Sequence, residues 1–242
     1  MDIYGMTDIG LKRETNQDVF YTHKFSEQVG FAIVCDGMGG QNGGNVASEM
    51  ACQTISHRLM ESNNIVSMSD DEIKSLVISA TSGANIEVYK TSNIEPGYKG
   101  MGTTVVIAVV SNKKAYIAHI GDSRVYLLRE GKLHQLTRDH SVVQELLEQG
   151  KISQDEAKVH PNKNMITRAV GVNLTVDIDY LEVLLGQESK LLLCSDGLTN
   201  MVSDQIIEKT LRKYNPEATC TKLIELSNKA GGVDNITVAV ME

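Results

Sequence analysis

The chain has only four cysteines, with no C-x-x-C pair and no companion histidine at zinc spacing, which excludes a zinc-finger type of site. Cys35, Cys52, Cys194 and Cys220 read as reduced, buried fillers, and Cys35 and Cys194 lie inside apolar runs. Positive charge is in deficit too. The formal net charge is −8, and phosphate backbones are held by clustered lysines and arginines, so no nucleic-acid partner is expected. Long hydrophobic runs are missing: the longest, Val105 to Val110, is far too short to span a bilayer. Met1-Asp2-Ile3-Tyr4-Gly5 lacks both the basic and the apolar region of a signal peptide. A cytoplasmic protein without membrane insertion is the expectation. No linker-like stretch, charge block or repeat period breaks the chain, which favours one compact domain over residues 1–242. Chemical motifs are absent as well. Ser123 and Ser195 lack the G-x-S-x-G elbow, no H-E-x-x-H occurs, and neither Gly37-Met38-Gly39-Gly40 nor Gly231-Gly232 leads into a P-loop Lys-Ser/Thr. Nucleophilic-serine and zinc-peptidase chemistry drop out.

What is present is a scatter of aspartates. Asp18, Asp36, Asp122, Asp196 and Asp234 each stand where an apolar run meets a turn, and three continue as Asp36-Gly37, Asp196-Gly197 and Asp234-Asn235. Those pairs predict a sharp bend just past the carboxylate, which leaves its oxygens facing a shared space. Gathered carboxylates repel one another unless protons or cations offset the charge, and all-oxygen ligands select hard divalent ions such as Mn²⁺ or Mg²⁺. One Asp-Gly alone is a turn; the joint pattern points to a metal-centred site. Asp36, ending its strand, is the expected bridge between two ions, with the Gly37 carbonyl facing a cation and Asp196 and Asp234 supplying further charge. Two ions about 3.5–4 Å apart activate water for attack at phosphorus. Arg13, five residues before Asp18, offers a planar fork for two phosphate oxygens. Asp122, in Gly121-Asp122-Ser123-Arg124, is either structural or a further ligand. Among the scattered histidines, His140 is the most interesting, because a general acid needs a group that titrates near neutral pH.

Apolar runs predict strands over Val29–Cys35, Thr103–Val110, Ala115–Ile120, Leu181–Leu185, Leu191–Cys194 and Ile236–Val240. Helical spacing follows the glycine-rich Gly39–Gly44, from Val46 to Leu59, and again from Ile73 to Val88 behind a Ser69-x-x-Glu72 capping box. Later stripes follow Ser203 and run from Asn215-Pro216 to Ala230, where Gly231-Gly232 stops the helix. This order does not alternate as a doubly wound sheet does; it fits an α+β layer or a helix-covered sandwich of antiparallel strands. Residues 139–164, with a short helix over Val142–Glu148, look like a lid-style excursion.

Taken in order, Arg13 with Asn16-Gln17-Asp18, Asp36-Gly37-Met38-Gly39-Gly40, Gly102-Thr103-Thr104, Gly121-Asp122-Ser123-Arg124, Thr137-Arg138-Asp139-His140, Cys194-Ser195-Asp196-Gly197 and Gly232-Val233-Asp234-Asn235-Ile236-Thr237 resemble the metal-dependent PPM (type 2C) protein phosphatases, most closely their short bacterial branch. The resemblance implies an α+β fold, a four-layer α-β-β-α sandwich of two antiparallel sheets flanked by helix pairs, with metals at one end. It implies that Asp36 bridges two Mn²⁺ or Mg²⁺ ions, with the Gly37 carbonyl as a further ligand. Asp196 and Asp234 then complete the second ion's shell, Asp18 lies by the first, and Asp122 with Asp196 holds a weaker third. Arg13 binds the substrate phosphate. Residues 141–164 correspond to a flap, and Ser141, His140 and Gln41 are expected on the substrate side. The implied activity is hydrolysis of phosphoserine and phosphothreonine in phosphorylated proteins, by a monomer that opposes a bacterial serine/threonine kinase.

One departure matters. Met38 and Gln41 stand where relatives carry a histidine, and glutamine cannot protonate a leaving alkoxide. Another group such as His140 must reach in, a bound water must serve, or aryl phosphates will be favoured over alkyl ones. A phosphoprotein-binding fold without turnover is the alternative, but such a chain would be expected to have lost metal ligands. A two-metal nuclease suits the carboxylates and not the acidic charge.

Overall fold

The computed structural model describes residues 1–62 and 65–242, and their side chains except those of residues 40–42. Strands β1 (Ile3–Asp8), β2 (Asp18–Lys24) and β3 (Val29–Met38) lead into two long helices, α1 (Gly40–Glu61) and α2 (Asp70–Ile94). A block of strands follows: β4 (Gly102–Thr103), β5 (Val105–Ser111), β6 (Lys114–Ile120), β7 (Arg124–Arg129) and β8 (Lys132–Gln135). Two short helices, α3 (Val142–Glu148) and α4 (Gln154–Val159), precede β9 (Asp179–Leu184) and β10 (Lys190–Cys194). Helices α5 (Asp196–Thr199), α6 (Asp204–Lys213) and α7 (Pro216–Lys229) then lead to β11 (Ile236–Met241).

The strands form two antiparallel sheets. One runs β1-β11-β10-β7-β8; the other runs β2-β3-β5-β6-β9, with β4 beside the end of β3. Alternation along each strand assigns every residue a layer. Ala32, Val34, Val106 and Ala108 meet Val125, Leu127, Leu191, Leu193 and Ala239 between the sheets. The opposite parity, Phe31, Ile33, Ile107 and Val109, packs under Ile55 and Leu59 of α1 and Val77 and Ala84 of α2. On the far side Leu192, Cys194, Val238 and Val240 pack under Ile207 and Leu211 of α6 and Leu223 and Ile224 of α7. The result is the expected four-layer α-β-β-α sandwich. Strands with helices on one face and a sheet on the other are apolar on both parities, which is why the central runs stood out. Among the described residues, no helix is long and apolar enough to cross a membrane.

Local chemistry sets the helix ends. The Ser69 side chain accepts from the Glu72 N–H while Glu72 accepts from the Ser69 N–H, completing the capping box that starts α2. Asn215 Oδ1 accepts from the Ala218 N–H at the start of α7, and Gly231 and Gly232 take positive φ just beyond its end. Helix α1 departs from expectation by starting inside the glycine-rich stretch, at Gly40. A Cβ on Gly44 would lie 2.7 Å from Gln17 Oε1 and 2.9 Å from the Gly37 carbonyl carbon, so the missing side chain lets this helix rest directly on β3.

Other differences have physical causes. The run expected as one strand from Thr103 is two, because Gly102–Thr103 pairs with the end of β3 while β5 pairs with Val29–Val34. The hairpin of β7 and β8 turns at Glu130-Gly131, both with positive φ, and its ends are charged. Strands β1 and β2 are mostly half-buried and mix polar with apolar residues, so they give little periodic signal.

Candidate metal centre

Strand ends from both sheets deliver carboxylates to one end of the sandwich. Asp18 opens β2 and faces Asp36 on β3 as a cross-strand pair, with the parity that points between the sheets. From the other sheet, Asp196 follows β10 and Asp234 precedes β11, while Asp122 lies in the turn from β6 to β7. Arg13, Asp36, Gly37, Asp122, Asp196 and Asp234 all line one cleft of about 710 Å³. Asp18 is buried, at 4% exposure, and does not line it.

The expected bend is present at Asp234, but Asp36 and Asp196 are presented otherwise. Asp36 and Gly37 continue the extended backbone of β3, and Gly37 pairs with Thr103. Asp196 and Gly197 begin the short helix α5. The glycines serve close approach instead. A Cβ on Gly37 would sit 2.1 Å from the Gly44 carbonyl oxygen, and one on Gly197 would sit 1.9 Å from that of Asn235. Both obstacles are backbone, so neither position has room for any side chain.

Charge in the cleft is unbalanced among protein groups. Burial pushes Asp18 up to about 7, against the pull of its hydrogen bond from Ser195. Burial, followed by repulsion from Asp18, Asp196, Asp122 and Asp234, drives Asp36 well above the usual carboxylate range. Asp196 is pushed up to about 6 by burial and by Asp234, although Asn200 Nδ2 donates to it at 3.0 Å. Asp122 is raised by burial and by Asp196 and Asp139. Among the described residues, the cation in contact is Arg13, whose Nη2 donates to Asp234 Oδ2 at 2.7 Å. Asp18 Oδ1 is buried with no hydrogen-bond partner among the described residues. An orphaned buried oxygen behind four convergent carboxylates is the donor set of a hard divalent cation, so these residues fit Mn²⁺ or Mg²⁺.

Residues not singled out from the sequence hold these ligands in place. The Asp36 N–H donates to Thr104 Oγ1 at 2.9 Å, and the Asp36 carbonyl accepts from the Thr104 N–H and from Thr103 Oγ1. Ser195 Oγ donates to Asp18 Oδ2 at 2.6 Å and accepts from the Thr237 N–H, so one hydroxyl ties β10, β11 and β2 together. Asn235 accepts from the Gln17 N–H and donates to the carbonyls of Ile9 and Thr15, stapling the loop that carries Arg13. Arg124 grips both oxygens of Asp139, and Thr104 Oγ1 bonds Ser123 Oγ at 2.7 Å. Membership of the motifs was the sequence signal for these anchors: Ser123 beside Asp122, Ser195 beside Asp196, Asn235 beside Asp234, and Thr103-Thr104 in a run of its own.

Three expected substrate-side residues are not shown facing the cleft. His140 is buried, and its Nδ1 accepts from the Gly121 N–H while its Nε2 meets Asp179 Oδ2 at 3.0 Å. Burial also lowers its affinity for a second proton, and both ring nitrogens face partners that do not line the cleft. Ser141 is buried and accepts from the Gln144 N–H as the cap of α3. The Gln41 side chain lies outside the described residues. All four cysteines are free and buried, as expected of fillers.

Comparison with known proteins agrees with this geometry. Residues 12–227 match the family described as protein phosphatase 2C. The chain is similar to the protein phosphatase PhpP of Streptococcus pneumoniae, 39% identical over 244 residues, covering 100% of this chain and 97% of that protein. Its fold is similar to the S. agalactiae serine/threonine phosphatase, with a TM-score of 0.90 at 36% identity over 99% of this chain and 98% of that one. It is also similar to the catalytic domain of the serine/threonine phosphatase PstP in complex with two manganese ions, with a TM-score of 0.86 at 31% identity over 99% and 96% of the two chains.

Proposed function

The chain belongs to the protein phosphatase 2C family, and on that premise we propose that it is a metal-dependent protein serine/threonine phosphatase working at the Asp36 cleft. The observation that carries this reading is the convergence of Asp36, Asp122, Asp196 and Asp234 with Arg13 on one cleft.

In this reading Asp36 and the Gly37 carbonyl would hold the core pair of Mn²⁺ or Mg²⁺ ions, with Asp196 and Asp234 as further ligands and Asp18 in support, and Asp122 with Asp196 would hold a weaker third. When bound, the ions offset phosphate charge and activate water for direct displacement at phosphorus. The remaining work falls to the chain itself. Thr103 and Thr104 fix the Asp36 backbone on both sides, so the carboxylate needs no reorganisation when substrate arrives. Ser195 keeps Asp18 Oδ2 occupied and so directs Oδ1 as the oxygen left for a cation. Arg13, half exposed at the mouth, exchanges Asp234 for the phosphate of a phosphoserine or phosphothreonine and orients it with its fork. Protonation of the leaving group falls to solvent in the cleft, because the His140 ring is engaged elsewhere.

We extend the reading to a single catalytic domain over 1–242 with a flap at 141–164, acting as a cytoplasmic monomer on phosphorylated proteins and opposing a serine/threonine kinase. The test is Mn²⁺-dependent hydrolysis of an aryl phosphate and a phosphothreonine peptide. EDTA, Asp36→Asn and Asp234→Asn each abolish it. Full activity in EDTA sinks the metal mechanism, and metal-independent phosphopeptide binding without turnover favours a binding protein instead.

A further inference from the structure

Gly121, the residue before Asp122, has both of its backbone polar groups taken by one residue. Its N–H donates to His140 Nδ1 at 3.0 Å, and its carbonyl accepts from the His140 N–H at 2.8 Å. With φ at +109°, Gly121 makes the turn that aims Asp122 into the cleft, so His140 clamps that turn. The ring has one usable tautomer. Because Nδ1 accepts a backbone N–H, the proton of the neutral imidazole is on Nε2, where Asp179 Oδ2 receives it at 3.0 Å. Asp179 Oδ1 in turn accepts from Arg168 Nη1 at 2.7 Å. His119, fully buried, lies against the other face of the ring, with centroids 4.5 Å apart. The other tautomer would place two N–H groups nose to nose at Gly121.

Among the described residues, His119, His140 and Asp179 also form a group with ligand atoms within 4.8 Å of one another, which raises the prospect of a further metal site. Arg168 argues against it. Its Nη1 stands 3.3 Å from His140 Nε2 as well as on Asp179, so a guanidinium already supplies the positive charge there.

We propose that His140 is a positioning residue for Asp122, and that Asp179 and Arg168 set its ring, so that the segment returning from α4 tunes the weakest cation site of the cleft. Arg168 is reached straight from that segment: Thr167 donates its N–H to the His140 carbonyl, and Ile166 bridges to Ser141. This rests on reading Asp122 as a ligand in the phosphatase cleft.

The test uses full-length protein, an ¹⁵N imidazole NMR spectrum and Mn²⁺ titration, with Asp179→Ala, Arg168→Gln and Asp122→Asn beside wild type. The wild-type spectrum shows His140 protonated at Nε2 alone. Asp179→Ala disturbs that signal and weakens the last Mn²⁺ equivalent about tenfold, as loss of an outer partner does, while the tighter equivalents hold. Arg168→Gln moves the same equivalent in the same direction by less. If Asp122→Asn removes the last equivalent and Asp179→Ala leaves its affinity unchanged, the proposal is overturned. Uniform weakening of all equivalents overturns it too, since that marks general loosening. Only two wild-type equivalents would end the proposal while aryl phosphate hydrolysis still upheld the phosphatase reading.

Discussion

Arg13 and Asp234 are 221 positions apart in the chain and joined by a 2.7 Å hydrogen bond in the cleft. On the proposed reading the arginine occupies an oxygen that a cation would claim, and it would be free to turn toward substrate with that cation in place. Arg13→Ala should lower kcat/KM for a phosphothreonine peptide by about 10–100-fold, the worth of a hydrogen bond between charged groups, mostly through KM. Mn²⁺ affinity should stay level or tighten, because a competitor for Asp234 is gone. A Mn²⁺ titration beside steady-state kinetics checks both; weaker metal binding would count against the exchange.

Metal-free protein should lose stability as pH rises. Asp18 is held at about 7 in the fold against an ordinary 3.8, so between those values the folded state keeps a proton that the unfolded state has lost. This contribution is fully present below 3.8 and is lost as pH climbs through 7; Asp196, at about 6, acts in the same direction. In EDTA, the midpoint of urea unfolding should fall from pH 5 to pH 8. Saturating Mn²⁺ should reverse the trend, with the largest gain at pH 8, because it binds the ionised carboxylates.

Ser195→Ala should cost about 1–3 kcal/mol in urea unfolding. It leaves Asp18 Oδ2 and the Thr237 N–H without their shared hydroxyl in a closed interior. Ser203→Ala, which removes no side-chain cap bond at α6, is the control and should change little.

Gly37→Ala should be severe, about 3 kcal/mol or more, because its methyl meets the Gly44 carbonyl and both partners are backbone. Gly97→Ala, with nothing within 4 Å of the added carbon, should stay within about 0.5 kcal/mol of wild type. Equal effects at the two positions would contradict the close-approach account of Gly37.

The layers were legible because Val29–Cys35, Val105–Val110 and Leu191–Cys194 are covered on both faces, which writes unbroken apolar runs into the chain. Strands β1, β2 and β8 have partly or largely exposed residues and left no such trace. The aspartates were legible as a set, yet the local geometry at Asp36 and Asp196 was misread: an Asp-Gly pair signals a turn or a close approach, and only the Gly44 and Asn235 carbonyls decide which. His140 shows the other limit. A side chain that ordinarily titrates near neutral pH suggested an acid, but its ring is committed to Gly121 and Asp179, contacts 19 and 39 residues distant that no local pattern reveals.

Asp18 and Asp36 belong to one sheet, while Asp196 and Asp234 flank strands of the other. The cleft is thus a registration mark between two layers that otherwise touch through apolar side chains, which grip without direction. Sliding one sheet over the other by a single strand step, about 3.3 Å, would preserve each sheet's ladder and scatter the carboxylates. On the proposed reading, ions seated across them would act as a rivet through the sandwich, and catalytic competence would be a readout of whether the two halves are docked in register.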